Sequence, residues 1–241
     1  MKKVEYKAEL FQTLSEVAKI IPTLCIKKEA TQVVLRAKDV GETKLIEVKA
    51  PLEYLKFEDF QDDTMNFWSF TEFYNLFGMF ENPIIKSDGQ DLHVKTETSK
   101  FKYRLASGDM TMMYTFEEDD YDNPDFDCNT NLTVDDMKSL NSIASGISSD
   151  ELVFTTNSKE NKIDLLFQSS VHDNTFNHDV SAEYSFTEGA EDYSITISSD
   201  DLKKLPIKEY SVELSYDGVI KFSYISDENI VTTISLSDIA E

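Results

Sequence analysis

Glycine is scarce, with 7 in 241 residues. Phosphate-cradling loops need clustered glycines so that backbone N–H groups can approach the anion. No Gly-x-Gly-x-x-Gly or P-loop pattern occurs, nor a Gly-x-Ser-x-Gly elbow. Cysteine is scarcer still. Cys25 and Cys128 alone make neither a disulfide framework nor a Cys-based metal site. They read as a buried small residue and a loop thiol. No run approaches the roughly 18 apolar residues of a membrane span. The start, Met1-Lys2-Lys3-Val4-Glu5-Tyr6, has a basic pair with no apolar stretch behind it, unlike a secretory signal. These absences lead us to expect a soluble intracellular protein, cytoplasmic in location. His93, His172 and His178 have no partner at metal-ligand spacing. The carboxylates are too many for any pair to stand out as acid and base. We therefore expect no catalytic residue, no metal and no cofactor, and a protein that binds or scaffolds.

Basic residues are also few. Lys plus Arg is 23 against 46 Asp plus Glu, a net charge of −23. Phosphate contacts draw on Lys and Arg, so the balance first argues against a nucleic-acid partner. The charge is uneven, however. Residues 1–115 hold 16 Lys/Arg and 18 Asp/Glu, and residues 116–241 hold 7 and 28. Seven of those acids fall in the eleven residues from Glu117 to Asp127. Such a run repels itself and stays solvated. It reads as a connector over 116–130 between domains at 1–115 and 131–241; an acidic loop within one domain is the alternative. Against these scarcities stand 16 Phe, 11 Tyr and a 40% hydrophobic share, enough for a core. The length itself suits two domains.

A repeat runs through the chain. Leu10, Phe11, Leu14, Val17, Ala18 and Ile21 follow the i, i+3, i+4, i+7 spacing of an amphipathic helix, and Pro22 ends it. Strands follow at 23–26, 32–38 and 45–50. After the connector, Thr133 is a candidate N-cap, with Asp135 and Asp136 in the first turn where the helix dipole favours them. Met137, Leu140, Asn141, Ala144 and Ile147 share a face, and strands follow at 152–155, 162–168 and 176–186. Two further units begin at 66–69 and 193–197. Each leads into a helix, at 70–77 and 199–205, and then into three strands. Their turns Asp88-Gly89 and Asp217-Gly218 are hairpin signals. Strand–helix–three strands thus recurs four times. The strands alternate polar and apolar residues, as antiparallel sheet with one wet face requires. The fold class is α+β, with helices on one face of curved antiparallel sheets.

The outward helix positions are poor in acid. The first helix offers Gln12, Thr13, Ser15, Glu16 and Lys19, and the second Glu72 and Asn75, with Lys86 beyond its end. The third offers Lys138, Ser139, Ser142 and Ser145, and the fourth Lys203 and Lys204, with Lys208 just beyond. Such faces can lie near phosphates without a sequence code. Four solvated faces that simply lack acid are the alternative.

Two domains of two such units, joined by an acidic connector, resemble DNA sliding clamps of the proliferating-cell-nuclear-antigen type. The likeness runs nearest to the T-even phage type of polymerase processivity clamp. It spans essentially the whole chain. It is carried by Asn131-Leu132-Thr133-Val134-Asp135-Asp136-Met137-Lys138-Ser139-Leu140, by residues 146–154, and by Ile207-Lys208-Glu209-Tyr210-Ser211-Val212-Glu213-Leu214. The resemblance implies a homotrimeric ring without enzymatic activity. Its helices would face duplex DNA, a DNA polymerase would be its client, and an ATP-dependent clamp loader would open it. It implies channel residues Lys7, Gln12, Lys19, Lys138, Ser142, Lys203, Lys204 and Lys208. It also implies a partner-peptide pocket of Val40, Leu45, Phe126, Leu236 and Ile239, with ordinary core as the alternative for each and the favoured one for Leu45 and Leu236, and ring closure by an edge near 109–115 against one near 177–184. The second helix carries no base, a departure from the family. A protein-binding module without DNA, an acidic mimic of DNA and, more distantly, an enzyme are the other readings.

Overall fold

The computed structural model describes residues 1–58, 63–108, 114–116, 124–169, 175–179, 184–187, 191–226 and 229–239. The chain forms two compact units. One is Met1–Tyr121 with Ile225–Thr232; the other is Asp122–Tyr224 with Thr233–Glu241. No helix among the described residues is long and apolar enough to cross a membrane.

The first unit runs β1 (Lys2–Tyr6), α1 (Ala8–Val17), β2 (Leu24–Lys28), β3 (Gln32–Lys38), β4 (Lys44–Pro51) and a short β5 (Leu55–Lys56). It continues with β6 (Thr64–Phe67), α2 (Phe70–Phe77), β7 (Ile84–Ser87), β8 (Asp91–Lys95) and β9 (Lys100–Arg104). Its strands lie in the orders β5-β1-β7-β8-β9 and β4-β3-β2-β6. The second unit runs β10 (Cys128–Leu132), α3 (Val134–Gly146), β11 (Glu151–Asn157), β12 (Lys162–Gln168), β13 (Thr175–Asp179) and β14 (Tyr184–Phe186). Then come β15 (Ser194–Ser198), α4 (Ser199–Lys204), β16 (Tyr210–Ser215), β17 (Val219–Ser226) and β18 (Ile230–Ser237); the end of β17 and the start of β18, within Ile225–Thr232, belong to the first unit. Its orders are β13-β12-β11-β15 and β14-β10-β16-β17-β18. The order strand, helix, three strands therefore occurs four times, starting at β1, β6, β10 and β15. Strand neighbours pair antiparallel, as in β1 with β7, β3 with β4 and β11 with β12. The fold class is α+β, with antiparallel sheets and four short helices among the described residues.

Local chemistry explains the elements. Gly89 and Gly218 sit at φ of 90° and 78°, where a side chain would be strained. They close the β7–β8 and β16–β17 hairpins at the two Asp-Gly signals. The burial of β11 and β12 alternates strictly, so each has one wet face. In the first unit Phe11, Phe67, Phe70 and Phe73 are each at most 2% exposed. Phe67 lies 4.9 Å from Phe70, edge to face, and Tyr6 stacks on Phe11 at 4.7 Å. Such pairs add about 0.5–1.5 kcal/mol each beyond burial. The second unit is more aliphatic around Met137, Leu140, Leu152, Leu165 and Phe167, all at most 2% exposed.

Two expectations are corrected. The strand expected over 176–186 is two strands. β13 pairs with β12, while β14 pairs with β10 in the other sheet, so one continuous strand cannot serve both. Thr13, expected on the outward face of α1, is 3% exposed. Its hydroxyl donates to the Glu9 carbonyl at 3.1 Å and lies 3.1 Å from the Ser226 hydroxyl, which satisfies it out of water.

Candidate nucleic-acid interface

Each unit holds two helices in contact, α1 with α2 and α3 with α4. Helix α1 begins after Lys7, whose backbone is extended and whose side chain makes no cap. The Lys7 ammonium sits 3.7 Å from the Tyr54 ring centroid, a cation–π contact that holds it. Leu10, Phe11, Leu14 and Val17 are buried, and Gln12 and Lys19 are exposed. Helix α2 is capped by Ser69, whose hydroxyl accepts from the Glu72 N–H at 3.3 Å. Its exposed positions Glu72 and Asn75 carry no base.

Helix α3 opens on a capping box. The Thr133 N–H donates to the Asp136 carboxylate at 2.8 Å, and the Asp136 N–H donates back to the Thr133 hydroxyl at 3.2 Å. Two otherwise orphan donors are thereby satisfied. Met137, Leu140 and Ala144 are buried, leaving Lys138, Ser139, Ser142 and Ser145 exposed. The Ser142 hydroxyl donates to the Lys138 carbonyl at 2.8 Å, one turn back. Helix α4 starts at Ser198, whose hydroxyl accepts from the Asp200 N–H at 3.2 Å. Lys203 and Lys204 are exposed and Lys208 is half-buried.

The sequence reading missed how these lysines are matched. Lys138 reaches Asp135 at 3.0 Å, Lys203 reaches Asp200 at 3.0 Å and Lys204 reaches Asp201 at 3.4 Å. Each is an i, i+3 pair on one helix, and the spacing was visible in the sequence. First-turn aspartates that favour the helix dipole thus also hold the candidate channel lysines. The pairs are solvent-facing on at least one side. Exposed pairs like those of Lys138 and Lys203 are worth about 0–1 kcal/mol, so an incoming anion would displace the aspartate at little cost, whereas the Asp201 carboxylate beside Lys204 is buried. These faces are electrically near neutral.

The five candidate pocket residues do not share one environment. Val40 is 66% exposed and Leu45 is half-buried, in the first unit. In the second, Ile239 is 42% exposed and Phe126 is half-buried, with the Lys221 ammonium 4.0 Å over its ring. Leu236 is 2% exposed, which fits its alternative as ordinary core; it shares a face of β18 with Ile234.

Beside Phe126, Asp127 is firmly held. One carboxylate oxygen accepts from the Tyr193 hydroxyl and the other from the Tyr216 N–H at 3.1 Å. Burial first, and then the bond to Asp127, push the Tyr193 phenol far above its ordinary value. Burial and the same carboxylate push the Cys128 thiol up to about 12, so this cysteine stays an unreactive thiol.

Ligand atoms of Asp88, Asp91 and His93 lie within 4.8 Å of one another, a grouping the sequence reading did not foresee. Arg104 Nε stands 2.6 Å from one Asp91 oxygen and Lys102 Nζ 3.4 Å from the other. Cations already occupy that carboxylate, so the group is an ion-pair cluster rather than a metal cradle. The His93 imidazole, 2.9 Å away, and then backbone N–H groups hold the Asp88 carboxyl well below the usual range.

The edge expected at 109–115 lies mostly outside the described residues, as does part of 177–184. Among the described residues, β9 and β13 end their sheets.

No family model matches the sequence, and no curated protein does. Solved structures do. The proliferating cell nuclear antigen of Entamoeba histolytica is similar at a TM-score of 0.70 and 10% identity, over 99% of this chain and 98% of that one. The A. fulgidus PCNA, in a structure described as bound to the C-terminal region of FEN-1, is similar at a TM-score of 0.73 and 14% identity. That match covers 100% of this chain and 99% of that one. At these identities the likeness establishes the fold: this chain has the fold of the proliferating cell nuclear antigen from end to end.

Proposed function

We propose that this protein is a sliding clamp: a homotrimeric ring that encircles duplex DNA and tethers a DNA polymerase, loaded by an ATP-dependent loader. The observation that carries the reading is the fourfold strand–helix–three-strand repeat whose exposed helix faces are near neutral in a chain of net charge −23. Acid elsewhere would repel phosphates, and faces spared of it would tolerate them. The end-to-end likeness to two nuclear-antigen structures supports the same reading. The further likeness to the T-even phage type rests on the stretches at 131–140, 146–154 and 207–214.

Lys19, Lys138, Lys203, Lys204 and Lys208, with Lys7, Gln12 and Ser142, are the proposed contacts to phosphate. Weak, non-specific attraction suits a surface that must move along DNA. Ring closure is proposed through sheet edges, β9 with the segment after it and β13 with the segment after it. Open edges are a liability that pairing removes, and head-to-tail pairing closes a ring. Exposed Ile239 and half-buried Phe126 are the candidates in the second unit for receiving an apolar partner peptide.

The test is mass in solution. Light scattering should give three times 27.6 kDa at micromolar concentration. With a cognate loader and ATP, the trimer should lengthen polymerase products on long templates. A strict monomer across that range, with no effect on product length, would sink the proposal.

A further inference from the structure

The outer face of the β1-β7-β8-β9 sheet is basic in an acidic protein. Register places Lys3 opposite Lys86, Lys86 opposite His93, and His93 opposite Lys102. One row away, Ile84 stands opposite Lys95, and Lys95 opposite Lys100. Lys3, Ile84, Lys86, Lys95, Lys100 and Lys102 are all exposed. Like charges directly opposite one another destabilise a strand pair, so folding alone gives no reason for this arrangement. Some of the bases are matched: Lys3 by Glu5 at 3.2 Å, His93 by Asp88 and Lys102 by Asp91. Lys86, Lys95 and Lys100 have no ion-pair partner among the described residues, in contrast to the matched lysines of α3 and α4.

These three lysines line a groove of about 1340 Å³, together with Met79, Ile84 and Phe101. Met79 is 77% exposed and Ile84 52%. The acids on the groove are Glu81 and Glu97, outnumbered by Lys86, Lys95, Lys100 and Lys102. The groove shares no residue with the expected partner pocket.

We propose that this face docks an acidic peptide segment of a partner protein. Carboxylates of the segment meet Lys86, Lys95 and Lys100, and an apolar side chain covers Met79 and Ile84. Charge complementarity selects an anion, and the exposed apolar side chains select a peptide over a nucleic-acid strand. A phosphate backbone offers nothing to Met79 and Ile84. Phe101, the ring on which a base would stack, is already engaged by Phe80 at 5.1 Å and Phe73 at 6.2 Å.

The test uses the full chain and a fluorescein-labelled peptide with a Leu-Phe pair between two runs of glutamate. Anisotropy should show binding that weakens with salt. The peptide with glutamine in place of glutamate should not bind. A Lys86→Glu, Lys95→Glu, Lys100→Glu variant should lose at least about tenfold in affinity, as reversal of complementary charge does. The three-glutamine variant at the same positions should lose less and keep the wild-type circular dichroism, which separates charge from folding. Equal binding of the glutamine peptide, undiminished binding by both variants, or tighter binding of an oligothymidylate of equal charge would each overturn the proposal.

Discussion

Tyr193 donates its hydroxyl to Asp127 at the end of the acidic run. A hydrogen bond to a charged group contributes about 1.5–3 kcal/mol, and Tyr193 is only half-buried, so the low end applies. Tyr193→Phe should lower the melting temperature by a few degrees, at about 2–4 °C per kcal/mol for a chain of this size. Scanning calorimetry reads the shift. The pH dependence has a definite sign. Folding raises the phenol pKa of Tyr193, and burial does the same for Tyr6 and Tyr103. Their contribution is full below the unfolded value of about 10 and is lost as pH climbs past it. Melting temperature should fall steeply above about pH 10 and less steeply in Tyr193→Phe. A flat profile to pH 11 would contradict the assignment.

At the scale of elements, caps and spacing explain most of what forms. Thr133 and Asp136 close the start of α3 by two reciprocal bonds. Thr133→Ala should cost about 1 kcal/mol, read as a lower urea midpoint with unchanged m-value; an unchanged midpoint would show that the box contributes nothing. This cap, the helix faces and both Asp-Gly hairpins were legible in the sequence because their cause is local. The fate of residues 176–186 was not. Whether a segment pairs with β12 or β10 depends on strands tens of residues away, and alternation is the same in both sheets. The burial of Thr13 was illegible for the same reason, since Ser226 supplies its partner. Of the candidate interface, the lysines could be read from the chain, and so could their aspartates three residues back. The rows of lysine across β1, β7, β8 and β9 could not, because register between distant strands places them.

For the whole molecule, charge is a matter of placement. The net −23 coexists with helix faces near neutrality and one basic sheet face. On the proposed clamp reading, Lys138→Glu, Lys203→Glu and Lys204→Glu together should shorten polymerase products several-fold while leaving the trimer mass unchanged. At Lys138 and Lys203 the glutamate stands three residues after an exposed aspartate, a like-charge pair that costs a few tenths of a kcal/mol; Lys204→Glu faces the buried Asp201, so unchanged circular dichroism is the control for folding. Undiminished product length would remove these helices from the channel. On the same proposed reading, the pairing of each lysine with its own aspartate also bears on friction. A lysine that leaves one carboxylate for a passing phosphate exchanges contacts of similar worth, about 0–1 kcal/mol, comparable to thermal energy. When the phosphate moves on, the aspartate is there to take the lysine back. No contact is then deep enough to become a resting place, and duplex DNA would meet a surface whose ruggedness is set by heat.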